Sequence, residues 1–129
     1  MNILFICKFN RYRSKAAEAY FNKINKNKNF KAKSAGLIRG EPINKKVTKI
    51  LEKIGVAPKG KPRGLDREIL KWQDILVIVG DNVPPSIFKD KRISGKKLIV
   101  WKINEGNNSI NLIKRKVEKL VKDLKSKDE

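Results

Sequence analysis

The chain has 129 residues and a formal net charge of +19, with 40% hydrophobic and 35% charged residues, a size that fits one domain over residues 1–129. Its one cysteine and lack of histidine exclude an internal disulfide, histidine-dependent triads and the usual zinc sites, so we expect no metal and no cofactor. No stretch approaches the ~20 apolar residues of a membrane span, and residues 2–6 lack the basic start of a signal peptide, so we expect a cytoplasmic protein without membrane contact.

The first segments predict a strand, a helix and an edge strand. Residues 3–6 are continuously apolar after Asn2, which is typical of a strand buried on both faces of a parallel sheet. A helix is expected from about Ser14 to Ile24, where good helix formers carry an apolar stripe. Residues 30–36 alternate and end at Gly36, which predicts an edge strand with lysines on its solvent-facing side.

The middle of the chain predicts two helices and the central strand. A helix is expected after Pro42, with apolar residues at helical spacing up to Gly55, namely Ile43, Val47, Ile50, Leu51 and Ile54. Residues 56–64 contain two prolines and two glycines and predict a surface loop. A short helix is expected over residues 66–72, followed by a strongly apolar strand over 75–79.

The last third predicts a turn of helix over residues 86–91, a strand over 97–103 and a terminal helix. The stripe of that helix comprises Ile110, Leu112, Ile113, Val117, Leu120, Val121 and Leu124. Strands alternate with helices along the chain and no internal repeat is present. This order predicts an α/β fold, a three-layer sandwich with about four parallel strands flanked by helices on both faces.

Three reactive side chains follow the ends of predicted strands. Ligands of such sheets bind outside the carboxyl ends of the strands. Cys7 ends the first strand, Asp81 follows the central one and Glu105 follows the last. We therefore expect a nucleophile and two carboxylates around one opening.

The segment from Cys7 to Arg13 has the composition of an anion site. Loop N–H groups and the start of a helix attract an anion, and the Arg13 guanidinium can bind two of its oxygens as a fork. The Ser14 hydroxyl can hydrogen-bond the Cys7 sulfur and favour the thiolate. The backbone contacts to the anion would come from Lys8, Phe9, Asn10, Arg11, Tyr12 and Ser14. Alternatively, Cys7 is a small buried hydrophobic residue at a strand end.

Residues 3–18 resemble the amino terminus of the low-molecular-weight protein tyrosine phosphatases. The resemblance continues through residues 34–36, 40–43, 51, 54–56, 74–79, 81 and 101–105, and so covers nearly the whole chain. It implies that family's flavodoxin-like fold. It also implies hydrolysis of a phosphate monoester through a cysteinyl-phosphate, with a phosphorylated protein or a small aryl phosphate as substrate.

The resemblance also implies roles for individual residues. Cys7 would attack phosphorus, Arg13 would bind the equatorial oxygens, and Ser14 would ease departure of the thiolate. Asn10 and Ser34 match residues that support the shape of the loop. Glu105 stands in the acid-bearing loop as the proton donor to the leaving group, with Asp81 as the alternative acid and the lack of a dedicated acid as the third option.

The chain departs from the family at several positions. Phe9 stands where glycine is preferred, and Tyr12 replaces a second loop cysteine, so the family's protective loop disulfide cannot form. Lys15 takes the place of a proline. The acid usually precedes a proline, whereas Glu105 precedes Gly106, and the family's aromatic residues beside the acid are missing, which weakens the case for phosphotyrosine.

The resemblance and the positive charge also suggest two other interpretations. One relative of these phosphatases reduces arsenate by passing a disulfide among several cysteines, and a chain with Cys7 alone cannot run that internal relay. A non-catalytic basic module is the second, in which Cys7 and Arg13 hold phosphate without turnover or residues 23–33 bind nucleic acid weakly and without sequence specificity.

Overall fold

A computed structural model describes residues 1–40, 45–53, 55, 61–88, 97–104, 106 and 108–128. Within these ranges the strands are β1 (Asn2–Cys7), β2 (Lys31–Gly36), β3 (Ile75–Val79) and β4 (Lys97–Trp101). The helices are α1 (Arg13–Ile24), α2 (Lys45–Lys53), α3 (Arg67–Trp72) and α4 (Ser109–Asp128), with a 3₁₀ turn at Pro85–Phe88 before β4. No helix of this described part is long and apolar enough to cross a membrane.

The strands form one parallel sheet in the order β2-β1-β3-β4. Residues 3–6 of β1 and all of β3 are buried, because helices cover both faces and leave no position for a polar side chain. At the edge formed by β2, Lys31 and Lys33 are exposed, as expected of an edge strand.

Helices pack against both faces of the sheet. On one face Phe5 contacts Phe21 of α1 and Trp101, with ring centroids 6.0 and 5.8 Å apart, and α4 completes the layer. On the other face Leu4 and Ile78 pack against Ile69 of α3 and other residues. The predicted three-layer α/β fold is confirmed.

The helices follow their predicted apolar spacing with small differences. The buried stripe of α4 consists of Ile113, Val117, Leu120 and Leu124. Leu112 is 41% exposed, because one residue before Ile113 is a rotation of about 100° away from that stripe. Leu51 of α2 is fully buried and Gly55 follows with φ 74°, whereas Ile43, Ile54 and the side chain of Val47 lie outside the described residues.

Two boundaries differ from the prediction. The last strand ends at Trp101 instead of residue 103, because Ile103 N–H turns back to the Trp101 carbonyl at 2.9 Å and leaves the ladder. The predicted turn of helix over 86–91 is the 3₁₀ turn, and residues 89–91 lie outside the described part. Of the predicted 56–64 loop, residues 61–64 are described, and Gly64 forms an isolated bridge with Gly36.

Candidate active site

Cys7 is the last residue of β1, and the loop from Cys7 to Arg13, here the 7–13 loop, connects this inner strand to α1. The carbonyls of Cys7, Lys8 and Phe9 accept from Leu37, Ile38 and Gly40 N–H groups at 3.1, 3.0 and 3.0 Å. The acceptors of the first half of the loop are thus occupied by the segment that follows β2. This arrangement suits a loop that offers its N–H groups to an anion.

Glycine is required where the segment after β2 crosses the loop. A Cβ at Gly36 would lie 2.6 Å from the Ile38 carbonyl oxygen and 2.7 Å from Asn10 N. A Cβ at Gly40 would lie 2.6 Å from the Phe9 oxygen and 2.7 Å from Arg11 Cγ. Only glycine allows the two backbones to approach this closely.

Asn10 fixes the turn in the middle of the loop. Its φ is 54°, in the left-handed region that asparagine tolerates better than most residues, and it is fully buried. Arg63 N–H can only donate, so the amide oxygen of Asn10 faces it at 2.8 Å. The amide nitrogen then donates to Ser14 Oγ at 2.8 Å and to Ser34 Oγ at 2.9 Å. The amide therefore joins three segments of the chain.

Ser14 holds the sulfur of Cys7. The Cys7 Sγ to Ser14 Oγ distance is 2.9 Å, and the two residues are 4% and 0% exposed. Ser14 Oγ already accepts from Asn10, so its own hydrogen is available to the sulfur. When Cys7 is a thiolate, Ser14 must be the donor, which stabilises the negative charge.

Glu18 extends the hydrogen-bond network of Asn10, Ser14 and Ser34, and the sequence did not indicate it as a site residue. Ser34 accepts from Asn10 and donates its hydroxyl hydrogen to Glu18 Oε1 at 2.5 Å. The available signal was spacing, since Glu18 lies four residues after Ser14 and therefore on the same side of α1. Burial raises the pKa of Glu18, opposed by the Ser34 hydrogen bond and by the charges of Lys15 and other cations. Burial lowers the pKa of Lys15, opposed by the charges of Glu18 and Cys7.

The raised pKa of Glu18 predicts a pH-dependent stability. The folded protein binds this proton more tightly than the unfolded chain does, so the contribution of Glu18 to stability falls as pH rises from the ordinary glutamate pKa through the raised one. Glu18→Gln removes this titration and should gain stability relative to wild type between about pH 4 and about pH 8. Urea unfolding at both pH values measures the difference in the free energy of unfolding between Glu18→Gln and wild type. The exposed Glu52→Gln serves as the control. An equal difference at the two pH values would contradict the prediction.

Arg13 reaches the ends of β3 and β4. Its Nη1 donates to the Ile103 carbonyl at 2.7 Å and to Asp81 Oδ1 at 3.2 Å, and Nη2 donates to Asn82 Oδ1 at 3.0 Å. The Arg13 side chain is 3% exposed and that of Asp81 51% exposed. The structure thus brings the Cys7 loop and Asp81 together, as expected from the strand ends. Asn82 was missed, although it occupies the same tip of β3.

The pairing of Asp81 bears on its predicted role as the alternative acid. Asp81 Oδ1 accepts from Arg13 Nη1 at 3.2 Å, so this oxygen already holds the guanidinium. For Asp81, this geometry favours the role of orienting Arg13 over the role of proton donor. Glu105, the first choice for the acid, lies outside the described residues.

The unusual loop residues Phe9 and Tyr12 both keep a negative φ. Among the non-glycine residues that the structure describes, Asn10 alone has a positive φ, so Phe9 keeps a backbone conformation that a Cβ allows. Its ring is 40% exposed, with the Lys8 ammonium 5.2 Å from the centroid. Tyr12 reaches α4, where its hydroxyl lies 3.0 Å from Ser109 Oγ.

The family model for low molecular weight phosphotyrosine protein phosphatase matches residues 2–100. No curated protein sequence matches the chain. An arsenate reductase from Archaeoglobus fulgidus is 30% identical, with 92% of this chain and 98% of that chain covered and a TM-score of 0.73.

Two more distant structures share the fold. The YwlE arginine phosphatase from Geobacillus stearothermophilus is 16% identical, with 98% of this chain and 94% of that chain covered and a TM-score of 0.82. A low molecular weight protein tyrosine phosphatase from T. tengcongensis is 23% identical, with 98% and 99% covered and a TM-score of 0.74. The fold thus recurs in proteins of differing named activity.

Proposed function

This chain belongs to the low molecular weight phosphotyrosine protein phosphatase family, and we propose that it is a phosphate monoester hydrolase that acts through a cysteinyl-phosphate. The observation that carries the proposal is the 2.9 Å contact between Cys7 Sγ and Ser14 Oγ, held by Asn10 on the loop between β1 and α1. A buried hydrophobic cysteine would need no such donor network, which argues against that interpretation of Cys7.

The proposed reaction has two steps. The Cys7 thiolate attacks phosphorus, forming an S–P bond as the ester P–O bond breaks and the leaving oxygen takes a proton from Glu105, the proposed acid. Arg13 binds two equatorial oxygens of the phosphoryl group through two N–H groups. To do so, its guanidinium must turn toward the anion or donate to the anion and to its present acceptors together. Water then attacks phosphorus and gives a proton to the Glu105 carboxylate, the S–P bond breaks to release phosphate, and the Ser14 hydroxyl stabilises the departing thiolate.

We propose aryl phosphates, including phosphotyrosine in proteins, as the substrate class. The half-exposed Phe9 ring and the Lys8 ammonium above it offer an apolar and cationic surface at the loop. The net charge of +19 supports steering of anionic substrates and weak, salt-dependent binding of nucleic acid as a secondary property.

Arsenate reduction is a second candidate, favoured by the 30% identity to the Archaeoglobus fulgidus enzyme. The Cys7 thiolate would form an S–As bond with arsenate, with loss of hydroxide. A small external thiol would then attack the sulfur, releasing arsenite and leaving a mixed disulfide on Cys7. A second thiol would free Cys7 and carry away the disulfide. Because the chain has one cysteine, both electrons must come from external thiols.

Two parallel assays distinguish phosphate ester hydrolysis from arsenate reduction. We expect the purified protein to hydrolyse p-nitrophenyl phosphate and phosphotyrosine peptides, with competitive inhibition by vanadate. In parallel, the protein is incubated with arsenate and glutathione or reduced thioredoxin, and arsenite is quantified. Arsenite formation without ester hydrolysis would replace the first proposal by the second. Phosphate binding without either reaction would indicate a non-catalytic module.

Glu105→Gln tests the proposed acid. For phenyl phosphate, whose leaving group needs protonation, we expect kcat/KM to fall about 10²-fold, at the lower end of the range for general acid catalysis. The effect on a good leaving group should be small. An unchanged rate and pH profile for phenyl phosphate would remove Glu105 from this role, and Asp81→Asn, measured alongside, would then test the alternative acid.

A further inference from the structure

Tyr12 makes a contact that its position in the loop does not require. It is the residue before α1, but its side chain does not cap that helix. The ring packs instead against the core between α1 and α4, and the hydroxyl lies 3.0 Å from Ser109 Oγ. Ser109 begins α4 and is 2% exposed. The loop that carries Cys7 is thereby fastened to the start of α4.

Arg13, the residue after Tyr12, contacts the other end of the chain segment that connects β4 to α4. Arg13 Nη1 donates to the Ile103 carbonyl at 2.7 Å, just after β4. Ser109, which contacts Tyr12, also donates its N–H to the Gly106 carbonyl at 3.0 Å. Gly106 is therefore linked through Ser109 to Tyr12. Two neighbouring residues of the 7–13 loop therefore hold both ends of the chain between β4 and α4.

We propose that Tyr12 is a positioning residue, whose hydroxyl, together with Arg13, fixes the two described ends of the connection between β4 and α4, Ser109 and Ile103, relative to the loop that carries Cys7. The inference rests on the proposed function, because this connection carries Glu105, the proposed proton donor. A general acid acts only within hydrogen-bond reach of the leaving oxygen, so its distance from Cys7 must be held tightly. Tyr12 supplies one of the two ties.

The tie acts on protonation of the leaving group more than on attack by sulfur. Removing the hydroxyl leaves the ring in the core and leaves the contacts of Cys7 with Ser14 unchanged. The end of the connection at Ser109 then loses its hydrogen bond to the loop, while the end at Ile103 keeps its hydrogen bond from Arg13. We therefore expect a selective loss with esters that need an acid.

The test compares Tyr12→Phe with wild type on two esters. We expect kcat/KM for phenyl phosphate to fall about 10-fold, part of the full effect of a general acid, and that for dinitrophenyl phosphate, whose leaving group needs no proton, to change less than about 2-fold. Tyr20→Phe is the matched control, since Tyr20 also joins α1 to α4, through Glu118 at 3.2 Å. In Tyr20→Phe, the ratio of kcat/KM for phenyl phosphate to kcat/KM for dinitrophenyl phosphate should equal the ratio in wild type.

Ser109→Ala provides a second route to the same result. It should reproduce the selective loss, and adding Tyr12→Phe to it should cause no further change in the ratio. An unchanged ratio in Tyr12→Phe, or an equal change in Tyr20→Phe, would overturn the positioning role and leave the hydrolase proposal standing. Failure of the wild-type protein to hydrolyse even dinitrophenyl phosphate would instead overturn the proposed function, and this role with it.

Discussion

Cys7→Ser should reduce hydrolysis of p-nitrophenyl phosphate below detection, a loss on the order of 10⁴-fold or more. A serine hydroxyl has nearly the volume of the thiol, but it is hardly ionised near neutral pH and is a far weaker nucleophile at phosphorus. The surrounding groups are unchanged, because Ser14 would still face the substituted oxygen and Asn10 would still hold Ser14. The effect would therefore report the nucleophile itself.

Three measurements accompany this variant. Circular dichroism and urea unfolding should show a fold of near wild-type stability. Thiol titration should fall from one group to none, since Cys7 is the only cysteine. Binding of inorganic phosphate, followed by calorimetry, should persist, because the 7–13 loop and Arg13 remain. Turnover that survives the substitution intact would refute the cysteinyl-phosphate mechanism.

Arg13→Lys should lower kcat/KM by about 10³-fold, a size typical of arginines that stabilise a phosphoryl transition state. The guanidinium presents several donors in one plane, whereas an ammonium is a single point of charge. Lysine could not bind two phosphate oxygens while also serving the Ile103 carbonyl, Asp81 and Asn82. Both the transition state and the link between the strand ends would lose donors.

The structural part of this loss can be measured separately. The Ile103 carbonyl loses the charged Arg13 donor but keeps the Asp81 N–H at 3.2 Å, so the fold should lose about 1.5–3 kcal/mol, the usual worth of one charged hydrogen bond, detectable by urea unfolding. Arg115→Lys, at an exposed position on α4, is the matched control and should leave both activity and stability near wild type. Activity within a factor of about 10 of wild type in Arg13→Lys would argue against the fork.

Much of the fold could be predicted because burial leaves a simple record in the chain. β1 and β3 lie between two helical layers, so nearly every position in them must be apolar, and both predicted strands match the observed ones closely. The stripe of α4 was predictable for the same reason, apart from Leu112. The end of β4 was not, because Ile103 is apolar and buried like a strand residue while its N–H turns back to Trp101.

The candidate site was predictable only in part. The residues from Cys7 to Ser14 are contiguous, so a strand, a loop and a helix start were enough to place the sulfur, the serine and the arginine near one another. The contacts of Asn10 and Ser34 were expected from resemblance, and the structure brings their side chains within 2.9 Å. Glu18 and Asn82 were missed because neither stands out among ordinary surface residues of a charged chain.

By itself, the sequence determined the alternation of strands and helices, the loop that begins at the only cysteine, and the restriction of any thiol chemistry to that residue. The strand ends predicted that Asp81 lies near the loop, but the tertiary structure alone decided which side chains of the loop the distant groups contact. Asp81 and Asn82 come to Arg13, and Ser109 comes to Tyr12, across separations of 68, 69 and 97 residues. Crossover connections and the order of the strands set such contacts, and neither local propensity nor apolar spacing specifies them.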